Sequence, residues 1–352
     1  MRKRSFFLAL LAILITGAIQ VAPAPAQDVP DYWPTDGWRT STPEEQSMDS
    51  ERLADMLTFV TEKEIDLHSI VIIRNGYIVT EVYFPGSDEQ TKYHIYSCTK
   101  SVISALVGIA IDQGYLEGVD QPILDFFPDH ETENLDDAKQ SMTIDNFLTM
   151  TAGLDWPDPN FILTGRMVSQ SDWVGFVLDR PMAAEPGTTF VYNNGLPHVL
   201  SVILQQETGM STAAFAQQML FDPLGIHSDD YRWETDWHNT AIGGWGLWLK
   251  ARDMAKFGYL YLNDGMWDGA QIVPAAWVAT STREHIFTTS TLTYGYLWWI
   301  GPDYYAARGL EAQLIYVVPD KHMVVVFTAA LRGTDEMIPD RLMEMYILPA
   351  AR

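Results

Sequence analysis

Tyr96-Ser97-Cys98-Thr99-Lys100-Ser101 leads into an almost wholly apolar stretch at residues 102–111, and the fold turns on how this run is read. An apolar segment of that length, entered without a turn residue, predicts a buried helix with Ser97 and Lys100 in its first turn. Residues three apart share a helix face, so the Ser97 hydroxyl and the Lys100 amine fall within hydrogen-bond reach. Serine alone is a poor nucleophile. A lysine in apolar surroundings loses proton affinity, because burial disfavours its charged form, and can then accept the serine proton near neutral pH. The helix start adds unpaired N–H groups that favour negative charge developing beside them.

Upstream, a helix is expected over 49–62, followed by two apolar runs at 68–74 and 77–84 that flank Asn75-Gly76. Asn-Gly between β-branched runs is a strong hairpin pattern. Downstream, Thr143 with Asn146 three residues on caps a short helix at 143–149, and helical spacing recurs at 171–179, 196–207 and 212–220. Another helix starts at Arg252-Asp253-Met254-Ala255-Lys256 and ends near Asn263-Asp264-Gly265. Strands return at 295–300, 313–318 and 322–329, the last two joined by Pro319-Asp320-Lys321, before a closing helix at 334–346. Hairpins at both ends of the chain imply one antiparallel sheet built from N- and C-terminal segments. The fold class is therefore α/β of the α+β type, with the sheet flanked by helices and a mainly helical lobe inserted. The expected organisation is one domain at 49–352, with a sheet lobe at 49–95 and 286–352 and a helical lobe at 96–285.

The first residues read differently. Arg2, Lys3 and Arg4 precede an apolar run at 6–19, and Ala24-Pro25-Ala26 offers a small-x-small cleavage site, the pattern of a signal peptide at 1–26. A Pro- and Asp-rich arm at 27–48 follows. Periplasmic or secreted localisation is expected, with no stable membrane insertion after the leader is removed. The formal net charge of −24 argues against nucleic acid and anionic membranes as partners. Cys98 is the single cysteine, so no intramolecular disulfide can form, and a small buried helix residue is the favoured reading of it. No Cys/His cluster has metal-ligand spacing, and neither a metal nor another cofactor is expected.

Two further elements complete a candidate site. Tyr192-Asn193-Asn194-Gly195 follows a turn at Pro186-Gly187-Thr188. A Tyr-x-Asn on a loop carries little by itself, but after a Ser-x-x-Lys it acquires a role. The Tyr192 phenol could relay the serine proton to a leaving group, and the Asn194 carboxamide could orient Lys100 or the acyl amide oxygen. His94, His198 and His285 lie outside any Gly-x-Ser-x-Gly elbow and are read as structural, as is Arg252-Asp253. Among the aromatics, Trp156 on a loop is the best candidate for lining a cleft, whereas Trp298 and Trp299 alternate along a strand so that one belongs to the core.

With these blocks stand Leu148-Thr149-Met150-Thr151-Ala152-Gly153-Leu154, Gly243-Gly244-Trp245-Gly246-Leu247, Ala251-Arg252-Asp253-Met254-Ala255-Lys256-Phe257-Gly258 and Tyr294-Gly295-Tyr296-Leu297-Trp298-Trp299. In this order, over about residues 49–329, the chain resembles the serine β-lactamase and D,D-peptidase superfamily in its class C-like branch. That branch includes esterases and 6-aminohexanoate-dimer hydrolases. The resemblance implies an acyl-enzyme on Ser97, with Lys100 as proton acceptor and Tyr192 as second acid/base group. It also implies an oxyanion hole from the backbone N–H of Ser97 and a second N–H on a late strand near Gly309, assigned to Ala312. Relatives carry Lys-Thr-Gly or His-x-Gly at that strand; here it reads Ala307-Arg308-Gly309-Leu310-Glu311-Ala312-Gln313. Gly309, Glu311 and Gln313 thereby become candidate substrate contacts. With no Lys or His at the start of this block, Glu311 would repel a substrate carboxylate unless Arg308 turns inward, since two like charges about 4 Å apart repel by about 4 kcal/mol at an effective dielectric near 20. A small ester, amide or short peptide-like substrate is therefore expected. A β-lactamase or D,D-carboxypeptidase is the alternative, and a catalytically silent binding protein of the same fold a remoter one.

Overall fold

The computed structural model describes residues 32–288 and 291–352. The expected signal peptide at 1–26 and the first residues of the arm lie outside this range. The rest of the arm packs onto the protein: Trp33 and Trp38 set their rings 5.8 and 5.5 Å from that of Tyr259, and Trp267 donates to Thr35.

Helix α1 (Ser50–Glu62) begins at an Asp49 cap that accepts the Arg52 N–H. Strands β1 (Leu67–Arg74) and β2 (Tyr77–Tyr83) form the hairpin around Asn75-Gly76, both of which take positive φ as the tight turn requires. A short β3 (Lys92–His94) pairs with β5 (Leu247–Lys250), which also pairs with β4 (Arg232–Trp233). Strands β6 (Met266–Trp267) and β7 (Ala270–Gln271) form a small hairpin. The late strands are β8 (Ile286–Phe287), β9 (Thr293–Tyr294), β10 (Trp299–Ile300), β11 (Tyr305–Gly309), β12 (Gln313–Val318) and β13 (Met323–Ala329). The main sheet has the order β2-β1-β13-β12-β11-β10-β9-β8, antiparallel throughout, so the first hairpin pairs with the last strand of the chain.

Alternation along these strands sends side chains to two separate cores. Val71, Ile73, Ala307, Ile315, Val324 and Val326 face a layer containing helix α2 (Cys98–Asp112) and the helix Ala251–Leu262. Ile70, Ile72, Leu314, Tyr316, Val325 and Phe327 face α1 and the C-terminal helices. The helix Ala251–Leu262 thus covers the sheet, although it comes from the segment assigned to the helical lobe. It sits close because Gly258 faces Val324 and Ile315, where a Cβ would come within 2.6 and 2.8 Å.

Two local expectations change. Residues 295–300 are not one strand: Tyr294 pairs with Trp299 across a turn in which Leu297 has φ 61°. Ser101 donates to the Leu297 carbonyl at 2.8 Å, so α2 captures the backbone that a strand would have used. The late strand near Gly309 likewise ends there. A turn at Leu310–Ala312 follows, in which Glu311 and Ala312 both take left-handed φ, 58° and 62°.

Candidate active site

The chain leaves β3 through Ile95 and enters α2 by a sharp turn at Tyr96, whose φ is 46°. Left-handed backbone is costly for a bulky residue and persists only where its surroundings hold it. Here the Tyr96 ring lies 4.1 Å from that of His94, and its hydroxyl donates to Glu311 Oε2 at 3.0 Å. Ser97 occupies the cap position of α2 and remains half-buried.

Lys100, one turn later, is 1% exposed. Its Nζ donates to Ser97 Oγ at 2.9 Å, Asn194 Oδ1 at 2.8 Å and the Gly244 carbonyl at 2.5 Å. Burial lowers its pKa to about 7. The three acceptors hold the amine in place, and the low pKa lets it release a proton near neutrality.

Tyr192 brings its ring to 4.9 Å from Lys100 Nζ. Burial raises the phenol pKa far above its usual value, and the nearby Ser97 side chain lowers it only in part. Tyr192 therefore keeps its proton at neutral pH, and Lys100 is the more readily deprotonated of the two. The Thr149–Gly153 loop positions Tyr192: the Met150 carbonyl, at a residue with φ 59°, accepts the Val191 N–H at 2.9 Å, and the Thr151 carbonyl accepts that of Gly187 at 2.8 Å. An aromatic wall backs it, with Trp299 at 6.0 Å, Tyr294 at 6.5 Å and Phe190 at 6.4 Å. Of the adjacent tryptophans, Trp298 is the core member, 0% exposed, and Trp299 the site member.

The sequence reading missed the part played by Gly243-Gly244. A Cβ at Gly244 would stand 2.4 Å from the Asn194 carbonyl, and one at Gly243 2.0 Å from that of Pro197. Only glycine lets this segment approach closely enough to present its carbonyl to Lys100. The paired glycines were the available signal.

A hydroxyl, a buried amine and a phenol held in mutual contact have the composition of an acyl-transfer centre. In comparison with known proteins, the beta-lactamase family matches residues 58–344. The chain belongs to the beta-lactamase family. Within this family of serine hydrolases, the 6-aminohexanoate-dimer hydrolase of Paenarthrobacter ureafaciens is 22% identical over 312 residues, covering 81% of this chain and 79% of its own length. Among solved structures, EstCE1, a hydrolase with promiscuous acyltransferase activity, superposes with TM-score 0.69 at 16% identity, covering 84% of this chain and 98% of that one. A family VIII carboxylesterase gives TM-score 0.68 at 15% identity, covering 88% and 98%. These likenesses establish the beta-lactamase fold.

The other sequence candidates fall around this centre rather than in it. Trp156 is 3% exposed and packs edge-on against Phe176 at 6.0 Å, because its loop folds into the helical core; it is a core residue and not a cleft wall. Gln313 is 2% exposed and donates to the Ala329 and Glu311 carbonyls, which fastens the turn to β13. Ala312 has its side chain in the core on the α1 side of the sheet. Gly309, the last residue of β11 before this turn, lies against the chain ahead of Ser97: a Cβ there would meet the Ile95 carbonyl at 2.3 Å. Glu311 is not a bare charge: Tyr96 donates to one oxygen, and Arg332 to the other at 2.9 and 2.6 Å. Arg308 points to the opposite face, forming a two-point pair with Asp340 at 2.7 Å. The Cys98 thiol, fully buried, donates to the Gln313 carbonyl at 3.2 Å, and burial raises its pKa.

The histidines serve structure. His198 pairs with Asp236 at 3.1 Å in the core, His94 stacks on Trp248 at 4.9 Å, and His285 contacts the Thr280 carbonyl at 2.9 Å. Arg252 reaches Glu81 of β2 at 2.6 Å rather than its neighbour Asp253.

Proposed function

We propose that this protein hydrolyses small neutral or amine-bearing esters or amides through an acyl-enzyme on Ser97. The observation that carries this reading is Lys100: buried, within 2.9 Å of the Ser97 hydroxyl, and with its pKa lowered to about 7. Neutral Lys100 takes the Ser97 proton as Oγ attacks the substrate carbonyl. The proton then passes through the Tyr192 phenol to the leaving oxygen or nitrogen. The tetrahedral oxyanion is met by the Ser97 N–H at the helix start and a second N–H from the Gly309–Ala312 turn, with Ala312 as the sequence-based candidate. Water attacks the acyl-enzyme by the reverse proton path.

The preference for neutral or amine-bearing substrates rests on Arg308. Its guanidinium is committed to Asp340 on the far face of the sheet, so β11 offers no arginine to a substrate carboxylate. Glu311 contributes less repulsion than a bare carboxylate would, because Arg332 offsets its charge. The curated 6-aminohexanoate-dimer hydrolase and the carboxylesterase neighbour support amide and ester substrates respectively. Export is part of the proposal and rests on the leader pattern; mature protein beginning near Gln27 by N-terminal sequencing is the expected result.

The decisive experiment screens short esters, 6-aminohexanoate oligomers, D-amino acid peptides and β-lactams with the wild type and Ser97→Ala, alongside labelling by a fluorophosphonate. Ester or amide turnover and adduct formation on Ser97, both abolished in Ser97→Ala, are expected. Full hydrolysis by Ser97→Ala overturns the mechanism, and rapid turnover of a chromogenic cephalosporin overturns the substrate preference.

A further inference from the structure

We propose that Thr164 and Asp158 are positioning residues for Lys100, acting through the Asn194 carboxamide in a hydrogen-bonded row that runs inward from the half-buried Asp158. The inference rests on the acyl-enzyme reading and adds to it a support drawn from a different segment of the chain.

Asn194 is 6% exposed and accepts from Lys100 through Oδ1. Its Nδ2 donates to Thr164 Oγ1 at 3.1 Å, and Thr164, 8% exposed, donates its hydroxyl in turn to Asp158 Oδ2. The row has one direction only. A carboxylate oxygen accepts, so the Thr164 hydroxyl points toward Asp158 and presents a lone pair to Asn194. That lone pair selects the amide NH₂, which leaves the amide oxygen facing Lys100. Flipping the carboxamide would set NH₂ against the lysine amine and a carbonyl against a hydroxyl with no hydrogen left to give. Asp158 is itself held by the Leu163 and Thr164 N–H groups at 2.6 and 3.2 Å, at the start of the helix Ile162–Val168. Hydrogen-bonded rows of this kind, buried at the Asn194 and Thr164 end, restrict a side chain to one arrangement.

The consequence concerns where Lys100 sits and how tightly it holds its proton. From α2, the groups facing it are Ser97 and the inert Cys98 thiol; from the 190–195 loop, Tyr192 and Asn194; from the 243–246 segment, a backbone carbonyl. A fixed amide oxygen favours the lysine cation against the desolvation that opposes it. Releasing that oxygen weakens the cation, which moves the acid limb of Ser97 reactivity to lower pH. It also loosens the amine and reduces the plateau rate.

The test measures the rate of fluorophosphonate labelling at Ser97 against pH for wild type, Thr164→Val, Thr164→Ser and Asp158→Asn. Valine keeps the threonine shape and removes the hydroxyl; asparagine keeps an acceptor for the two helix N–H groups and removes the charge. Thr164→Val is expected to label roughly 10-fold more slowly with its acid limb shifted down, and Thr164→Ser to return to within about 2-fold of wild type. Asp158→Asn is expected to show the same downward shift at an unchanged melting temperature. The proposal is overturned if folded Thr164→Val or Asp158→Asn labels with the wild-type rate and pH profile. It is also overturned if Thr164→Ser is as impaired as Thr164→Val. Should Thr164→Val fail to fold, Asp158→Asn carries the test. Labelling that persists in Ser97→Ala sinks the acyl-enzyme reading instead, which keeps the two failures distinct.

Discussion

Lys100 is a cation by default, and the protein spends stability to make it a base. Its pKa is about 7 when folded, against 10.5 for the free side chain, so the unfolded chain binds more protons between those values. Stability from this group therefore rises with pH over that window and is lost as pH falls through about 7. Activity has the same sign. kcat/KM is expected to climb with pH through about 7, because only neutral Lys100 can accept the Ser97 proton, and a pH–rate profile measures it. Lys100→Arg preserves charge but cannot deprotonate; a loss of roughly 10³-fold in kcat/KM is expected at neutral pH. Cys98, adjacent to Ser97, shows how one position changes chemistry. Its thiol points into the core with a raised pKa, whereas Ser97 stands half-buried at the cap.

At the scale of elements, the site is assembled where four backbone segments pass unusually close. Left-handed residues mark three of them: Tyr96 before α2, Met150 in the loop that supports the Tyr192 segment, and Glu311 with Ala312 after β11. The fourth uses glycine, since Gly244 has no room for a side chain against the Asn194 carbonyl. Gly244→Ala is expected to push this segment away and withdraw its carbonyl from Lys100. A displacement near 1 Å at such a site costs on the order of 10² in rate. Single-turnover acylation, read beside a circular-dichroism melt, checks this. The rate should fall far more than the fraction folded. The strand expected at 295–300 fails for a related reason: Ser101 and Leu148 both bond to Leu297, and β9 and β10 hairpin around it.

Across the whole molecule, one sheet divides two cores, and its faces decide which charges meet. Arg308 and Glu311 are three residues apart in sequence, yet Arg308 pairs with Asp340 and Glu311 with Arg332. Asp253 lies inside the layer around the helix Ala251–Leu262, 6% exposed, where burial raises its pKa to about 6 despite Lys256 at 3.8 Å. For a carboxyl raised above its unfolded value of 3.8, the stabilising contribution is complete below that value and is lost as pH rises through about 6. The loss is on the order of 3 kcal/mol. Denaturant unfolding of wild type and Asp253→Asn from pH 4 to 7.5 should therefore show the variant gaining relative stability as pH rises. A constant difference across that range would remove Asp253 as the cause.

The elements legible from sequence are those set by neighbours along the chain. Ser97 and Lys100 share a face because helix geometry brings positions three apart together. The first hairpin follows from Asn75-Gly76, and the Asp49 and Thr143 caps follow from side chains that bond within their own first turn. The burial of Trp156 and Gln313 was not legible, because a loop tryptophan or a strand-end glutamine carries no local mark of which way it faces. The partners of Lys100 lie 94 and 144 residues away, so their contact depends on loop closure and core packing. Local spacing determined the candidate nucleophile, its candidate base and most of the secondary structure. Only the tertiary structure decided that the base is dry enough to be neutral near pH 7, that Arg308 turns away from the cleft, and that an Asp158–Thr164–Asn194 row stands behind the lysine. Desolvation and hydrogen-bond direction are properties of what surrounds a group, and those surroundings come from distant parts of the chain.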